Sequence, residues 1–600
     1  MRVWMLVCAA ALAALPMGCL PEPELNVRLD GVWLFRHDPA REGVAQRWYA
    51  PGADRSQWTT VRLPSTWESL PGLHDADGWG WYARLIVMPD SIPPTSLHFA
   101  GVDDDAEVWI NGTKVASHTG HSEPFSVDAS AALHPGENLL VVLVNDHGGP
   151  GGIPKPVTLV ETAHLDEVLR GPYADRQARE SAPWVRDAVI YCVYLRSFSP
   201  EGTFEGLRRR LPELKRMGVT VLWLLPIHPI GELKRKGTLG SPYSVRDFYG
   251  INPELGTMDE FRSLVAAVHA EGMHLILDLV ANHTSWDNPL LAQHPDWYTR
   301  DAAGEVVSPS PKWYDVADLD YSNPALRRYM MEMMSWWVEE VGVDGFRCDV
   351  AELVPLDFWE AARRRLDAIR PVMMLAEGTL PEHHLEAFDL SYAWNIYDIL
   401  PSLLRGERPA SSVHEALRWE ERTFPHGSLR LRFATNHDKN YWDAPAVERY
   451  GRDGLRLASV LVFTLPGVPL IFTGEEVAND RRLDHHDKVD VDWTRPRWMG
   501  ELFTALAGLR RRHEALRSGD YRSVPADNDE VLAFSREAND DRVLVVLNFS
   551  REPCTVTLRA PHLAGVLLEE EGGRSLRVGE DGGLSLSLGG RSHAILAARP

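Results

Sequence analysis

From Trp184 onward, short apolar runs alternate with amphipathic segments: AVIYCVYL, VTVLWLLPI, MHLILDLV, VDGFRCDV, VMMLAEG, YAWNIYD, LRFATNHD and VPLIFTGEE. Strands that alternate with helices pair in parallel, and eight is the number that closes a (β/α)8 TIM barrel, so an α/β fold is predicted. Between the first two strands, TFEGLRRRLPELKRMG spaces Phe204, Leu207, Leu211 and Leu214 three or four apart, which predicts one helix with a single buried stripe. After the third strand comes a long loop, His283 to Ser322, dense in Pro, Asp and Trp, before a helix starting near Pro324. Loops this long inside a compact domain are usually functional.

The flanks read differently. Over 25–162, the runs WYARLIVM, SLHFAG, AEVWING, TKVASH and NLLVVLVND are short alternating strands broken by turn residues, the pattern of a β-sandwich. Asn111-Gly112 between VWI and TKVA is a type I′ hairpin signal, because both central residues must take positive φ. The Arg- and Asp-rich stretch 163–183 lacks a hydrophobic pattern and reads as a linker. The barrel then occupies 184–512, with 283–322 as its inserted loop domain, and VLAFSRE, RVLVVLNFS, CTVTLRA and SHAILAA make 513–600 a second β-sandwich.

Acidic residues outnumber basic ones, 85 to 62, for a net charge of −23, which repels nucleic-acid phosphates and anionic membranes and favours a neutral substrate. The 21 tryptophans suit sugar stacking and sandwich cores equally. Five cysteines at 8, 19, 192, 348 and 554 form no CxxC pair, so neither a disulfide framework nor a structural zinc site is indicated. The start, MRVWMLVCAAALAALPMGC, carries one basic residue and an apolar run from Val3 to Leu15, the layout of an export signal over 1–19. That run is shorter than the roughly 20 residues that cross a bilayer. Gly18-Cys19 followed by LPEPELN resembles a bacterial lipoprotein cleavage site, which would put a lipid anchor on Cys19; plain secretion with cleavage near Ala11-Leu12-Ala13 is the alternative. No transmembrane segment follows, and oligomeric state is not legible.

In a barrel of this kind, reacting groups sit where strands end at the C-terminal face. The third strand ends in Asp278, Asn282 and His283, the fourth in Arg347 and Asp349, the fifth in Glu377, and the seventh in Asn436, His437 and Asp438. Arg347 and Asp349 are two apart and point the same way, so a cation beside Asp349 should keep it ionised. A second carboxyl, Glu377, follows the apolar MMLA on the neighbouring strand. One acid that attacks and another that gives a proton are what glycoside hydrolysis needs. Each acid alone is explained as well by a salt bridge, a helix cap or a solvated rim; the set in barrel order is not.

These four segments, with FSPEGTFEGL, GVTVLWLLPI and SPYSVRDFYGINPELGT, resemble the α-amylase family of glycoside hydrolases, family 13, over about 184–600. The resemblance implies that Asp349 is a nucleophile forming a covalent glucosyl intermediate, Glu377 the general acid and then base, and Asp438 a third acid gripping substrate hydroxyls. It implies that Arg347, His283 and His437, with Asn436, hold the nucleophile and the sugar before the cleaved bond, that Tyr243 is a stacking platform, and that the α-anomer is retained. No cofactor is needed for this chemistry. Separately, DGVWLF, VRLPSTWE, GWGWYARL, DDAEVWINGTKV and ENLLVVLVND resemble the jelly-roll sugar-binding domain at the N-terminus of β-galactosidase-type (family 2) hydrolases; a packing or spacer role with Trp79, Trp81 and Trp109 in the core is the alternative.

Two positions depart from the starch-cleaving pattern, where a Lys-His pair serves acceptor-side sugar and calcium: Glu352 and Leu353 stand there. Asn282 and an acid such as Asp315 could still ligate a structural calcium ion. The leading expectation is therefore an exported, retaining hydrolase of α-1,4-linked glucans, similar to α-amylases, neopullulanases and cyclomaltodextrinases. The alternatives are a 4-α-glucanotransferase acting on maltodextrins, a non-catalytic glucan-binding surface protein, and a β-galactoside hydrolase.

Overall fold

The computed structural model describes residues 25–598 except 71, 74–75, 119–123, 148–150, 571–572 and 574. The expected export signal and Cys19 lie outside the described residues. No helix among the described residues is long and apolar enough to cross a membrane. The chain divides into two compact units, 1–170 and 171–600.

The first unit holds a four-stranded sheet and a six-stranded sheet with a shared core that includes Trp33, Phe35, Leu97, Phe99, Leu140 and Val142. The strand Gly136–Asp146 is buried on both faces: Leu140, Val142 and Val144 enter that core, while Leu139, Val141 and Leu143 enter a smaller one with Trp48, Trp58, Trp81 and Trp109. A turn of helix, Glu42–Ala45, lies by the smaller core because the Asp38 carboxylate accepts from Glu42 N, Gly43 N and Trp81 Nε1 at 2.8, 2.8 and 2.9 Å. Trp79, Trp81 and Trp109 thus take packing positions. The hairpin forms as expected: Asn111 and Gly112 have φ of 52° and 83°, and Ile110 pairs with Thr113.

The second unit contains a closed barrel of eight parallel strands: β1 (Ile190–Val193), β2 (Val221–Leu224), β3 (His274–Leu279), β4 (Gly345–Cys348), β5 (Met373–Ala376), β6 (Leu390–Tyr392), β7 (Leu429–Arg432) and β8 (Val468–Phe472). Alternation sorts each strand, so that Ile190, Cys192, Val221, Trp223, Ile276 and Leu375 pack together while Tyr191, Val193, Leu222, Leu275 and Met374 join the other cluster with the surrounding helices. Gly345 opens β4 at φ 142°, where a Cβ would lie 2.0 Å from the Met373 carbonyl oxygen; only glycine lets β4 approach β5 there. A six-stranded and a two-stranded sheet after Asp520 enclose the C-terminal core of Val531, Leu544, Val546, Leu558 and Leu596.

Three expectations need correction. YAWNIYD is not the sixth strand: β6 ends at Tyr392, and Trp394–Arg405 is a helix burying Ile396, Tyr397, Ile399, Leu400, Leu403 and Leu404 at helical spacing. The stripe from Phe204 to Leu214 is buried as expected but carried by two helices, Phe204–Arg208 and Leu211–Met217, because Pro212 has no N–H to bond backward and can stand only in a first turn. The stretch 163–183 is no free linker in its second half: Gly171 N, Ala178 N and Arg179 N donate to the carbonyls of Arg422, His426 and His384 at 2.7, 2.8 and 2.9 Å. Backbone bonding of that kind leaves no trace in hydropathy.

Candidate active site

One buried cation organises the mouth of the barrel. Arg347, pointing inward from β4 and fully buried, places Nη1 2.8 Å from Asp278 Oδ1 and 3.0 Å from Asp349 Oδ1, and Nη2 2.7 Å from Glu377 Oε2. Its Nε donates to Tyr392 Oη at 3.2 Å. The period-two reading of Arg347 and Asp349 is therefore correct in space as well as in sequence.

Neighbouring strand ends fix the two carboxyls. Asp349 N donates to Leu279 O and Glu377 N to Cys348 O, both at 3.0 Å, so each acid is the first residue past its strand and still tied to the strand beside it. Val350 takes a left-handed conformation, φ 38°, which a β-branched residue rarely adopts, and this aims its N–H at Glu377 Oε2, 2.8 Å away. Glu352 ties the same two loops: its Oε1 accepts from Thr379 N and, at 3.1 Å, from Leu380 N, while Leu353 is exposed.

The remaining residues attach through rings. Tyr243 Oη lies 3.2 Å from Asp278 Oδ2 and 2.7 Å from His437 Nε2, and Trp223 Nε1 donates to the same Asp278 oxygen at 3.1 Å. Asp438 follows His437, with Oδ2 3.4 Å from the imidazole Nε2. His283 is buried, with its ring centroid 5.8 Å from that of Trp313. Asn436 is different. Its side-chain oxygen caps the helix His437–Trp442 by accepting from Lys439 N at 2.8 Å, and the residue is fully buried with its amide nitrogen unpartnered.

Burial pushes the Asp349 carboxyl above the ordinary carboxylate range, with Asp278 and Asp438 adding to the rise and Arg347 opposing it. Glu377 is raised as well, again chiefly by burial, with Asp349 and Asp438 adding and Arg347 opposing. The expectation that a cation beside Asp349 keeps it ionised is thus incomplete: desolvation and crowded like charge outweigh Arg347, and Asp349 and Glu377 tend to retain a proton between them, whereas Asp438 is held below its ordinary range. Burial also lowers His283 to about 4 and His437 to about 3, so both rings are neutral near pH 7 and act as hydrogen-bonding groups.

Residues without a role in the sequence reading complete the site. Asp278 was visible as an acid within the apolar run HLILDL, yet its function as the hub for Arg347, Trp223 and Tyr243 emerges only in three dimensions. Trp223 stands within the apolar run VTVLWLLPI, and Tyr392 ends β6 where the run YAWNIYD begins.

The Alpha amylase, catalytic domain family model matches residues 173–315 and 310–379. A solved maltogenic α-amylase, AmyB from Thermotoga neapolitana, is 32% identical with a TM-score of 0.65, and the alignment covers 70% of this chain and 100% of that one. The chain belongs to the α-amylase family. This α-amylase-family glycoside hydrolase is also 28% identical over 522 residues to the α-amylase MalA of Haloarcula japonica, covering 80% of this chain and 75% of the relative. It is 25% identical over 612 residues to an α-1,4-glucan:maltose-1-phosphate maltosyltransferase of Streptomyces coelicolor, covering 88% and 84% respectively. Residues 27–151 match the Glycosyl hydrolases family 2, sugar binding domain model, and 521–595 the Maltogenic Amylase, C-terminal domain model.

Of the two side chains weighed for a calcium ion in this α-amylase-family enzyme, Asp315 is already paired with a cation. The buried Asp315 carboxylate holds the Lys236 ammonium, Oδ1 to Nζ 2.6 Å, and that ammonium also donates to Lys312 O at 3.0 Å. The Asn282 amide nitrogen is 3.4 Å from both Asp318 Oδ1 and His283 Nδ1. Among the described residues no cluster of three or more His, Cys, Asp or Glu could hold a metal ion.

Proposed function

We propose that this enzyme is a retaining α-glucan hydrolase that cleaves α-1,4-glucosidic bonds through a covalent glucosyl-enzyme intermediate on Asp349. The observation that carries the reading is the single guanidinium of Arg347 reaching both Asp349 and Glu377, which keeps nucleophile and acid close together. Two carboxyls flanking one bond are what glycoside hydrolysis needs, and retention is the outcome that the likeness to the α-amylase family supports.

In the first step the Asp349 carboxylate attacks the anomeric carbon while the protonated Glu377 gives its proton to the departing glycosidic oxygen. In the second, the Glu377 carboxylate takes a proton from water, whose oxygen attacks the same carbon and releases Asp349. Two inversions return the α-anomer. Tyr243 and the neutral rings of His283 and His437 orient the sugar ahead of the cleaved bond, and Asp438 grips its hydroxyls as the ring flattens. Asn436 acts through the helix it caps.

Asp349→Asn tests the reading: turnover of soluble starch should fall at least about a thousandfold with an unchanged melting temperature. Near-normal activity would remove Asp349 from the mechanism. A second reading, transfer of the glucosyl unit to a sugar hydroxyl, is supported by the similarity to a maltosyltransferase over 88% of the chain. Chromatography of products from maltoheptaose separates the two, since chains longer than the starting material arise only by transfer. The leader sequence supports export of the enzyme with a lipid anchor on Cys19.

A further inference from the structure

Among the tryptophans in the described residues, Trp442 alone is exposed, at 66%. It stands at the end of the short helix that begins beside Asp438, four residues on and hence on the same helical face. A row of rings links it to the acids. Tyr243 stacks on His437 with centroids 5.7 Å apart and planes 18° apart, His437 on His485 at 5.7 Å and 30°, and His485 on Tyr441 at 4.8 Å and 21°. Tyr441 then meets Trp442 edge-on at 4.5 Å.

The end of the row is held in place. Arg482 Nη1 donates to the carbonyl of Tyr441 at 3.0 Å and reaches that of Trp442 at 3.5 Å, putting a cation on the open C-terminal end of the helix. His485 is buried, so the ring on which Tyr441 rests is fixed from behind. An indole left in water on such a rigid support, at the outer end of a line that starts at Tyr243, is prepared to receive an apolar surface. Pyranose rings offer one on the face that carries their axial C–H bonds.

We propose that Trp442 is an outer stacking platform for a glucan chain that extends beyond the sugar seated on Tyr243, making the enzyme selective for longer chains. The inference rests on the glucan reading above. The platform binds ground state and transition state alike, so its loss should raise KM and leave kcat alone.

The test compares maltotriose with maltoheptaose. Trp442→Ala should raise KM for maltoheptaose about tenfold at unchanged kcat, the effect of losing one aromatic stacking contact, and leave maltotriose unaffected. Trp442→Phe, which keeps a ring, should recover most of the loss, and both variants should melt with the wild type. Equal changes for the two oligosaccharides, or none for either, would overturn the platform while the hydrolase reading stands. Wild-type enzyme that leaves both oligosaccharides intact would instead sink the glucan reading, and the platform with it.

Discussion

Arg347 and Asp278 meet through one nitrogen and one oxygen, 2.8 Å apart and both wholly buried, and this pair sets the direction from which the guanidinium reaches the two reacting acids. Asp278 takes one face of the cation; Asp349 and Glu377 take what remains. A planar fork can serve three carboxyls and a tyrosine at once, whereas a point charge cannot. Arg347→Lys is therefore expected to fold and to lose about a hundredfold or more in kcat with a smaller change in KM. Steady-state kinetics with a melting curve checks this, and an unchanged kcat would show that the bridge is dispensable.

Asp349 and Glu377 both sit above the ordinary carboxylate range. The nucleophile must be ionised, so activity is lost as pH falls through its raised value. The acid must be protonated, so activity persists to higher pH than an ordinary glutamate would allow and is lost as pH rises through its raised value. A bell-shaped profile of kcat/KM follows, with both limbs belonging to the pair. Asp278→Asn removes a negative neighbour that raises Asp349, and the acid limb should move to lower pH. A limb that stays or moves upward contradicts the electrostatic account.

Glu377 is needed only where the leaving group needs a proton. Glu377→Gln should lose about a hundredfold to ten-thousandfold on maltodextrins, the usual worth of a general acid. On α-glucosyl fluoride, whose fluoride departs unprotonated, the formation of the intermediate should be nearly unimpaired. Equal losses on the two substrates would assign Glu377 a structural part instead.

The Lys236 ammonium against Asp315 predicts indifference to chelators. Excess EDTA should leave both melting temperature and activity unchanged, and added calcium should not raise either. Lys236→Met would leave the buried Asp315 carboxylate without its partly exposed cation, so the variant should melt lower than the wild type. A calcium-dependent melting temperature in the wild-type protein would mean that Lys236 yields its place to the ion.

Much of this site was legible because barrel strands have little use for polar side chains. Asp349, Glu377 and Asp438 stood out as acids at the ends of apolar runs, and the spacing of Arg347 and Asp349 gave their common direction. What escaped depends on contacts the local pattern does not carry. Tyr392 and Trp394 belong to a run whose apolar spacing fits a strand until the helical burial of Ile396 through Leu404 is seen. Pro212 split a stripe whose periodicity is unbroken. Asn436 is chemically suited to binding, and only its bond to Lys439 N shows that the helix uses it first.

In this mechanism Asp349 becomes covalently bonded to the sugar. Incubation with 5-fluoro-α-glucosyl fluoride, which forms such an intermediate quickly and releases it slowly, followed by peptide mass spectrometry, tests it most directly. The added mass of one fluoroglucosyl group on the peptide carrying Asp349, located to that residue by fragmentation, is the predicted result. Turnover with no adduct on any residue, or an adduct on a residue other than Asp349, would contradict it.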